Sequence, residues 1–389
     1  MEATGVSAQS LSSTIDLASA GKHDWDVIVV GGGLAGSVSA RGLAAAGFRT
    51  LLVDRSSYPR PKVCGCCITS LAAETLDSIG LGHVLGNCGA RQLSEVHLYA
   101  GSTPTAIPIR GVVGLSREAL DTQLAREAVE AGASLLLETR ADPSSDGQVT
   151  LCGGTETVQA RARAVVLAAG LRSHQRNTPK RASRTLVGIG AVVPDSGHNY
   201  PDGVVRMVID QNGYVGIAPL EDGRLTIASA IRADAIQRTS PKSAVEDILK
   251  QAKLERLVTQ ETRFTGVPAL KRQRSRVQEG RLLAVGDAAG FVEPITGEGM
   301  SWAIATGAAV VRSASSIIEG TARENEWQVA YRRMMPRRHI RCAFVGACIR
   351  RPALVRAAIA ASSVVPMIRG TVLSGLLGRY DPSIEGELT

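Results

Sequence analysis

The stretch DVIVVGGGLAG, residues 26–36, decides the fold of this chain. A short apolar run ends in glycines and leads into a segment of helical character, which predicts a buried parallel strand, a tight turn and a helix. Gly31 permits the turn, Gly33 lets a diphosphate approach the backbone, and Gly36 lets the helix pack close to the sheet. The stretch therefore predicts a dinucleotide site.

The residues that follow narrow the choice of dinucleotide. The predicted helix begins at Leu34 and Ala35, where its free N–H groups and dipole favour phosphate. A second apolar run, residues 50–53, ends at Asp54, 23 residues after Gly31. An acid at this place accepts hydrogen bonds from ribose hydroxyls and repels a 2′-phosphate. We therefore expect FAD or NAD rather than NADP.

A second motif, RLLAVGDAAGFVEPITGEGM, occupies residues 281–300. A predicted strand ends at Gly286 and Asp287, and a loop then leads to a small-residue helix. Asp287 can hydrogen-bond a ribityl hydroxyl, and the N-terminus of the helix can face the flavin ring, where negative charge builds on reduction. An NAD dehydrogenase has no need of this second site, so the two motifs together predict FAD.

The rest of the chain predicts a mixed α/β (α+β) fold. Residues 185–230 alternate apolar and polar side chains between PDG, QNG and EDG turns, which favours antiparallel sheet. Ser116 is placed to cap a helix over residues 117–131. We predict a Rossmann-like FAD-binding domain interleaved with an antiparallel-sheet substrate domain, followed by C-terminal helices. The predicted segments are a flexible leader over 1–24, the FAD-binding domain over 25–184 and 275–325, the substrate domain over 185–274, and basic amphipathic helices over 326–389.

Charge is concentrated near the C-terminus. The chain carries a net charge of +8, yet residues 331–380 alone contain ten arginines and no Asp or Glu. Such a segment suits an anionic membrane surface, an acidic or phosphorylated substrate, or simply a solvated face. Aromatic residues make up 3% of the chain, too few for a platform that stacks single-stranded nucleic acid, so no nucleic-acid partner is predicted.

Cysteine usage and the absence of export signals predict a cytoplasmic protein. The seven cysteines are an odd number, and residues 1–24 lack a charged start followed by an apolar core. No run of 18 uninterrupted apolar residues is present. We therefore expect free thiols, no spanning helix, and at most peripheral membrane contact through the basic C-terminal helices.

The motifs, taken in order, resemble the FAD-dependent oxidoreductases of the p-hydroxybenzoate hydroxylase fold. The matching stretches are DVIVVGGGLAGS, LLVDR, RPKVCG, LSREALD and GDAAGFVEPITGEGM, spread over roughly residues 25–330. The segment KVCGCCITSLAAETLDSIGL is most similar to the geranylgeranyl-reductase-like branch. The resemblance implies that these residues hold FAD: Gly31, Gly33, Leu34, Ala35, Gly36, Asp54, Arg55, Lys62, Arg117, Gly286, Asp287, Pro294, Gly297, Gly299 and Met300.

The same resemblance suggests catalytic candidates. A cysteine at the position of Cys64 lies on the active-site loop of the branch, where it could donate a proton, act as a redox thiol, or only fill space. Cys66 and Cys67 are adjacent, but the C-x-C-C spacing does not suit zinc. Tyr214 is a candidate proton donor or pocket wall.

Two departures bear on the reaction. The Asp-Gly that hydroxylases carry near residue 170 is replaced by Ala169-Gly170, and the Tyr-x-Trp-x-Phe-Pro strand of lipid reductases is shortened to YVGIAP, residues 214–219. We expect double-bond reduction of a hydrophobic organic substrate. The alternatives are a flavin monooxygenase acting on an aromatic or polyketide-like substrate and a non-catalytic FAD-binding module at a membrane. No second complete dinucleotide fingerprint occurs, so the expected electron donor is NAD(P)H bound transiently or a separate redox protein.

Overall fold

A computed structural model describes residues 10–171, 185–195, 200–267, 270, 272–292, 295, 297–349, 351 and 355. In chain order the strands are β1 (Asp24–Val30), β2 (Thr50–Val53), β3 (Cys67–Ile68), β4 (Arg91–Tyr99), β5 (Pro104–Gly114), β6 (Ser134–Leu136), β7 (Thr139–Pro143), β8 (Gln148–Gly153), β9 (Glu156–Leu167), β10 (Leu186–Pro194), β11 (Val204–Asp210), β12 (Gly213–Pro219), β13 (Arg224–Arg232), β14 (Thr265–Val267), β15 (Arg272–Gln273), β16 (Gln278–Glu279), β17 (Leu282–Ala284) and β18 (Gly290–Phe291). The helices are α1 (Leu17–Lys22), α2 (Leu34–Ala45), α3 (Ser70–Ser78), α4 (His83–Asn87), α5 (Arg117–Glu130), α6 (Ala233–Arg238), α7 (Pro241–Leu249), α8 (Gly299–Glu319), α9 (Glu326–Met334) and α10 (Pro336–Ile349).

The first sheet is the nucleotide-binding layer, with strand order β16-β17-β9-β1-β2-β6. Strands β17, β9, β1, β2 and β6 run parallel, and β7 and β8 join β9 as an antiparallel hairpin. The central strand β1 is apolar from Val27 to Val30 and wholly buried there, as its continuous hydrophobic run predicts. The carboxyl ends of the parallel strands meet at one edge, which is where ligands bind in such sheets.

Small residues bring helix α8 against helix α2. A Cβ added at Gly307 would come 2.4 Å from the carbonyl oxygen of Ala35, so the two backbones touch. The Ser39 hydroxyl donates to the carbonyl of Gly307 at 3.0 Å across the same contact. This packing places the early and the late glycine motifs side by side.

The second sheet has the order β14-β10-β13-β12-β11-β4-β5-β3. It is antiparallel except where β11 pairs in parallel with β4. The antiparallel meander from β10 to β13 lies within the predicted interval 185–274, but β3, β4 and β5 come from residues 67–114, which the sequence placed in the FAD-binding domain. That assignment was wrong for these strands, because the pairing of β4 with β11 spans more than 100 residues and leaves no local signal.

The predicted flexible leader is also wrong for residues 10–22. Asp16 caps α1 by accepting from the backbone N–H of Ser19, and the Trp25 indole donates to the carbonyl of Ala20 at 2.9 Å. The backbone N–H of Thr14 donates to the carbonyl of Leu135 at 2.8 Å. This polar, Ser-rich segment is therefore held against the first sheet by caps and backbone hydrogen bonds. Residues 1–9 lie outside the described part.

Of the predicted C-terminal helices, α9 and α10 fall within the described residues. Trp327 on α9 is fully buried and donates to the carbonyl of Ala284 at 2.8 Å, which fixes the helix to β17. Residues 356–389 of the predicted basic segment lie outside the described residues. None of the described helices is both long and apolar enough to cross a bilayer.

Candidate FAD site and substrate cavity

One cavity of about 1220 Å³ lies between the carboxyl edge of the first sheet and one face of the second. Pockets for a single small ligand typically hold about 300–1,000 Å³, so this one has room for a large cofactor with a substrate beside it. The sequence-predicted residues on its wall are Gly31, Gly33, Leu34, Ala35, Asp54, Arg55, Lys62, Cys64, Arg117, Tyr214, Gly286, Asp287, Gly297, Gly299 and Met300. Pro294 lies outside the described residues.

The three glycines of the first motif lie at a tight turn, at the N-terminus of α2 and at a close backbone contact. Gly31 has a φ of +104°, and a Cβ there would lie 2.6 Å from the carbonyl oxygen of Ala168. Gly36 lies behind the cavity wall, where a Cβ would come 1.8 Å from the carbonyl oxygen of Gly31. Gly33 is the N-cap residue of α2, and its missing side chain leaves the approach to the helix N-terminus open.

Asp54 makes several hydrogen bonds within the protein, in addition to its predicted role of binding a ribose hydroxyl. Its Oδ2 accepts from the backbone N–H of Gly32 at 2.6 Å, while Oδ1 accepts from the N–H of Ser56 at 2.9 Å and from Arg60 at 3.1 Å. A carboxylate offers roughly four acceptor positions, so one remains for a ribose hydroxyl. Asp54 therefore also holds the glycine loop in shape, a task shared by Tyr58, whose hydroxyl donates to the carbonyl of Gly32.

A chain of alternating charges runs beside the cavity from Asp54 to Arg117. Arg60 lies 3.1 Å from Asp54 and 3.5 Å from Asp121, and Arg117 binds Asp121 through two hydrogen bonds of 2.7 and 2.8 Å. Burial opposes the charged form of Arg117, but Asp121 raises its pKa above the ordinary value. Sequence reasoning missed Arg60 and Asp121. Asp121 could have been found from its i,i+4 spacing to Arg117 on α5, which brings the two side chains together.

Three cysteines and a lysine line the next part of the wall. The backbone N–H of Cys66 donates to the Cys64 sulfur at 3.4 Å. The Cys66 thiol and the positive charge of Arg117 lower the pKa of Cys64 to about 6, against the effect of burial. The same Arg117, together with burial, lowers the pKa of Lys62. The lowered pKa favours the thiolate form of Cys64, which suits a redox thiol better than a proton donor.

The second motif shapes the opposite end. Gly286 and Gly297 take φ values of +54° and +69°, and nothing lies within 4 Å of a Cβ built at Gly297. Helix α8 starts at Gly299, and the preceding Glu298 is held at 2.6 Å by Arg341 of α10. The loop and the helix N-terminus thus present open backbone to the cavity.

The remaining wall, where a substrate would lie, is apolar. It is formed by one face of the second sheet. Gly188 and Gly216 lie on this face and have no side chains to fill the cavity, and the Tyr214 side chain beside them is 5% exposed. Other side chains on this wall are Val96, Leu98, Ile107, Ile109, Val205, Met207, Phe291 and Ile295. A surface of this kind binds a hydrophobic molecule and excludes water.

The residues present fit FAD. The glycine loop leaves space for a diphosphate at the N-terminus of α2, and the cavity continues unbroken to the second glycine motif. The buried Nε of Arg60 has no hydrogen-bond partner in the described part of the chain, and it is a donor that diphosphate oxygens accept from. Lys62, which lies outside the chain of ion pairs formed by Asp54, Arg60, Asp121 and Arg117, adds a positive charge to this wall.

Comparison with known proteins agrees with this geometry. The model of the FAD binding domain family matches residues 24–337. The chain is 29% identical over 316 residues to a menaquinone reductase of Mycobacterium tuberculosis, covering 72% of this chain and 74% of that protein. It is also 29% identical over 309 residues to digeranylgeranylglycerophospholipid reductase 1 of Methanopyrus kandleri, covering 73% and 78%.

The fold is shared with a different class of flavoprotein. The crystal structure of PqsL, a probable FAD-dependent monooxygenase from Pseudomonas aeruginosa, matches with a TM-score of 0.69 at 18% identity, covering 87% of this chain and all of that one. The resemblance predicted from the sequence motifs, to the p-hydroxybenzoate hydroxylase fold and its geranylgeranyl-reductase-like branch, is confirmed. The chain belongs to the FAD binding domain family and is an FAD-dependent oxidoreductase.

Proposed function

We propose that this enzyme reduces a carbon–carbon double bond in a hydrophobic, lipid-like substrate. The observation that carries the proposal is the apolar sheet face that closes the cavity opposite the second glycine motif. The reductases from M. tuberculosis and M. kandleri, which are its relatives by sequence, support the same reaction class. FAD, when bound, supplies hydride transfer, and the protein supplies binding, orientation and exclusion of water.

The side chains divide these tasks. The ion chain from Asp54 to Arg117 neutralises its own charge while fixing the walls of the cofactor site. Tyr214 lies on the apolar wall with a hydroxyl that can deliver a proton to the carbon opposite the hydride. The Cys66 thiol and Arg117 lower the pKa of Cys64, so its thiolate form is favoured and Cys64 is less suited to that step.

Product analysis tests this proposal. Holoenzyme reduced with dithionite is mixed with digeranylgeranylglycerophospholipid or with menaquinone, with and without oxygen, and the products are identified by mass spectrometry. We expect, in both atmospheres, a product in which a carbon–carbon double bond has gained two hydrogen atoms, counted after any quinol has been reoxidised to the quinone. Tyr214→Phe should slow its formation by about tenfold to a hundredfold if the hydroxyl donates the proton.

The runner-up is a flavin monooxygenase, which the fold shared with PqsL favours. Its signature in the same experiment is an oxygen-containing product that forms only in air. An oxygenated product from either lipid, or from an aromatic substrate, would replace the reductase proposal.

We also propose that the electrons come from NAD(P)H or from a separate redox protein. In the described residues a single dinucleotide cradle is present, the one formed by β1 and α2, which is the cradle assigned to FAD. Anaerobic bleaching of the flavin by NADH or NADPH would identify a nicotinamide donor. If neither NADH nor NADPH bleaches the flavin, the result points to a separate redox protein as the donor.

Membrane contact through α10 is a further part of the proposal. Ile340 and Phe344, four residues apart on one face of the helix, are 70% and 69% exposed. The surrounding segment carries only positive charge. On the other side of α10, Val345 packs in one buried cluster with Tyr214 and Phe291 of the cavity wall. A cytoplasmic protein that takes a lipid substrate would use such a helix at an anionic membrane surface.

A further inference from the structure

Three cysteines lie beside the cofactor site, and the proposed double-bond reduction uses none of them. Cys64, Cys66 and Cys67 all line the cavity, and none of them is in a disulfide. Arg117 and Lys62 act on the Cys64 sulfur with their positive charges. A thiol surrounded by cations and open to a cavity is the arrangement found at reactive cysteines rather than at structural ones.

The backbone around Cys66 is unusual for a residue with a side chain. Cys66 has a φ of +53°, in the left-handed region that glycine adopts without strain. Backbone strain of this kind gathers at functional positions. Here it places a thiol, rather than a hydrogen atom, beside Cys64.

The geometry brings the two sulfurs within reach of each other. The Cys66 amide donates to the Cys64 sulfur at 3.4 Å, and the two side chains interact directly. Cα atoms two residues apart are separated by at most about 7 Å, close to the range that a disulfide accepts. The loop is held at both ends, since Thr226 donates to the carbonyl of Cys64 at 2.9 Å and Leu115 to that of Cys66 at 3.0 Å.

Cys67 does not share this arrangement. Its thiol donates to the carbonyl of Gly65 at 3.3 Å, and it begins strand β3. It therefore serves as an internal control for the pair.

We propose that Cys64 and Cys66 form a reversible dithiol–disulfide pair in the wall of the cavity, oxidised by hydroperoxides. The Cys64 thiolate attacks the peroxide, whose O–O bond breaks, giving a sulfenic acid at Cys64 and one molecule of water after protonation. The Cys66 thiol then attacks that sulfur, forming the S–S bond and releasing a second water. One hydrogen peroxide and two thiols thus become one disulfide and two waters, the sulfurs losing two electrons and the peroxide gaining them. An external dithiol restores the pair by exchange.

Hydrogen peroxide is the product expected when a reduced flavoprotein reacts with oxygen without transferring it to substrate. A peroxide-sensitive pair at the cavity wall would thus register that side reaction. The proposal does not depend on which substrate the enzyme reduces, and it is measured by thiol content rather than by turnover.

The test uses the FAD-loaded full chain with one equivalent of hydrogen peroxide, followed by thiol labelling with N-ethylmaleimide and mass spectrometry. Trypsin releases residues 63–91 as one peptide that contains Cys64, Cys66, Cys67 and Cys88. We expect this peptide to lose two labels, localised to Cys64 and Cys66, at least about tenfold faster than Cys152 loses its label. Dithiothreitol should restore both labels.

Matched variants complete the test. Cys66→Gly suits the positive φ, so the fold is retained, and it should leave a sulfenic acid at Cys64 that dimedone traps. Cys67→Ser should behave as the unmodified chain. The proposal is overturned if Cys64 is oxidised no faster than Cys152, if the disulfide joins Cys64 to Cys67, or if Cys66→Gly yields no trappable sulfenic acid.

Discussion

At the scale of single residues, the surroundings of Cys64 predict that its thiol reacts readily with electrophiles. Its neighbours Cys66, Arg117 and Lys62 favour the thiolate, so the pKa of Cys64 is lowered to about 6 from an ordinary value of about 8.5. A lowered pKa keeps the thiolate present down to about pH 6 and removes it only below that pH. We therefore expect the rate of alkylation by iodoacetamide to rise through about pH 6 and then level off.

Mass spectrometry of residues 63–91 after timed alkylation between pH 5 and pH 9 would give this profile. Arg117→Met should move the midpoint upward, because it removes a cation that favours the thiolate. A midpoint near pH 8.5 in the unmodified protein would show that the positive neighbours do not act on Cys64.

Gly36 gives a second prediction at this scale. A Cβ at Gly36 would lie 1.8 Å from the backbone oxygen of Gly31, which cannot move without deforming the glycine loop. We expect Gly36→Ala to lower the free energy of unfolding by about 3 kcal/mol or more and to abolish FAD retention. Gly86→Ala on α4, where a Cβ meets nothing within 4 Å, should change stability by no more than about 0.5 kcal/mol. Thermal unfolding and flavin absorbance measure both effects, and equal stability of the two variants would refute the packing argument.

At the scale of elements, the sequence predicted those features that depend on neighbours along the chain. The strand–turn–helix at Gly31 and the capped helix α5 follow from short-range patterns, and Ser116 does accept from the N–H of Ala119. Pairings between distant segments were not predictable in this way. The addition of β3, β4 and β5 to the second sheet and the contact of Arg60 with Asp121 both depend on the completed fold.

Helix α10 carries the prediction that belongs to this scale. Ile340→Ser combined with Phe344→Ser removes the exposed apolar pair without touching Cys342 or Val345 on the buried side. We expect flotation with vesicles that contain phosphatidylserine to fall several-fold, because less apolar area enters the lipid interface. Val329→Ser on α9, which is 47% exposed, is the matched control and should float as the unmodified chain does. Flotation that is unchanged in the double variant would exclude α10 as the membrane contact.

At the scale of the whole molecule, the two sheets provide two different environments around one cavity. The parallel sheet presents glycine loops, a helix N-terminus and paired charges, whereas the antiparallel sheet presents an apolar face. Both motifs could be recognised in the sequence because each is contiguous. The apolar wall could not, since it is assembled from β4, β5, β11 and β12, whose inward faces are known only once the register is fixed.

The most direct test of the account is the anaerobic reoxidation of the reduced holoenzyme by a lipid substrate. The reaction is monitored through the flavin absorbance in a rapid-mixing experiment. We predict that digeranylgeranylglycerophospholipid restores the oxidised flavin spectrum in the absence of oxygen, with one carbon–carbon double bond reduced per flavin. A reduced flavin that stays bleached with every lipid and is reoxidised only when oxygen is admitted, with an oxygenated product, would contradict the account.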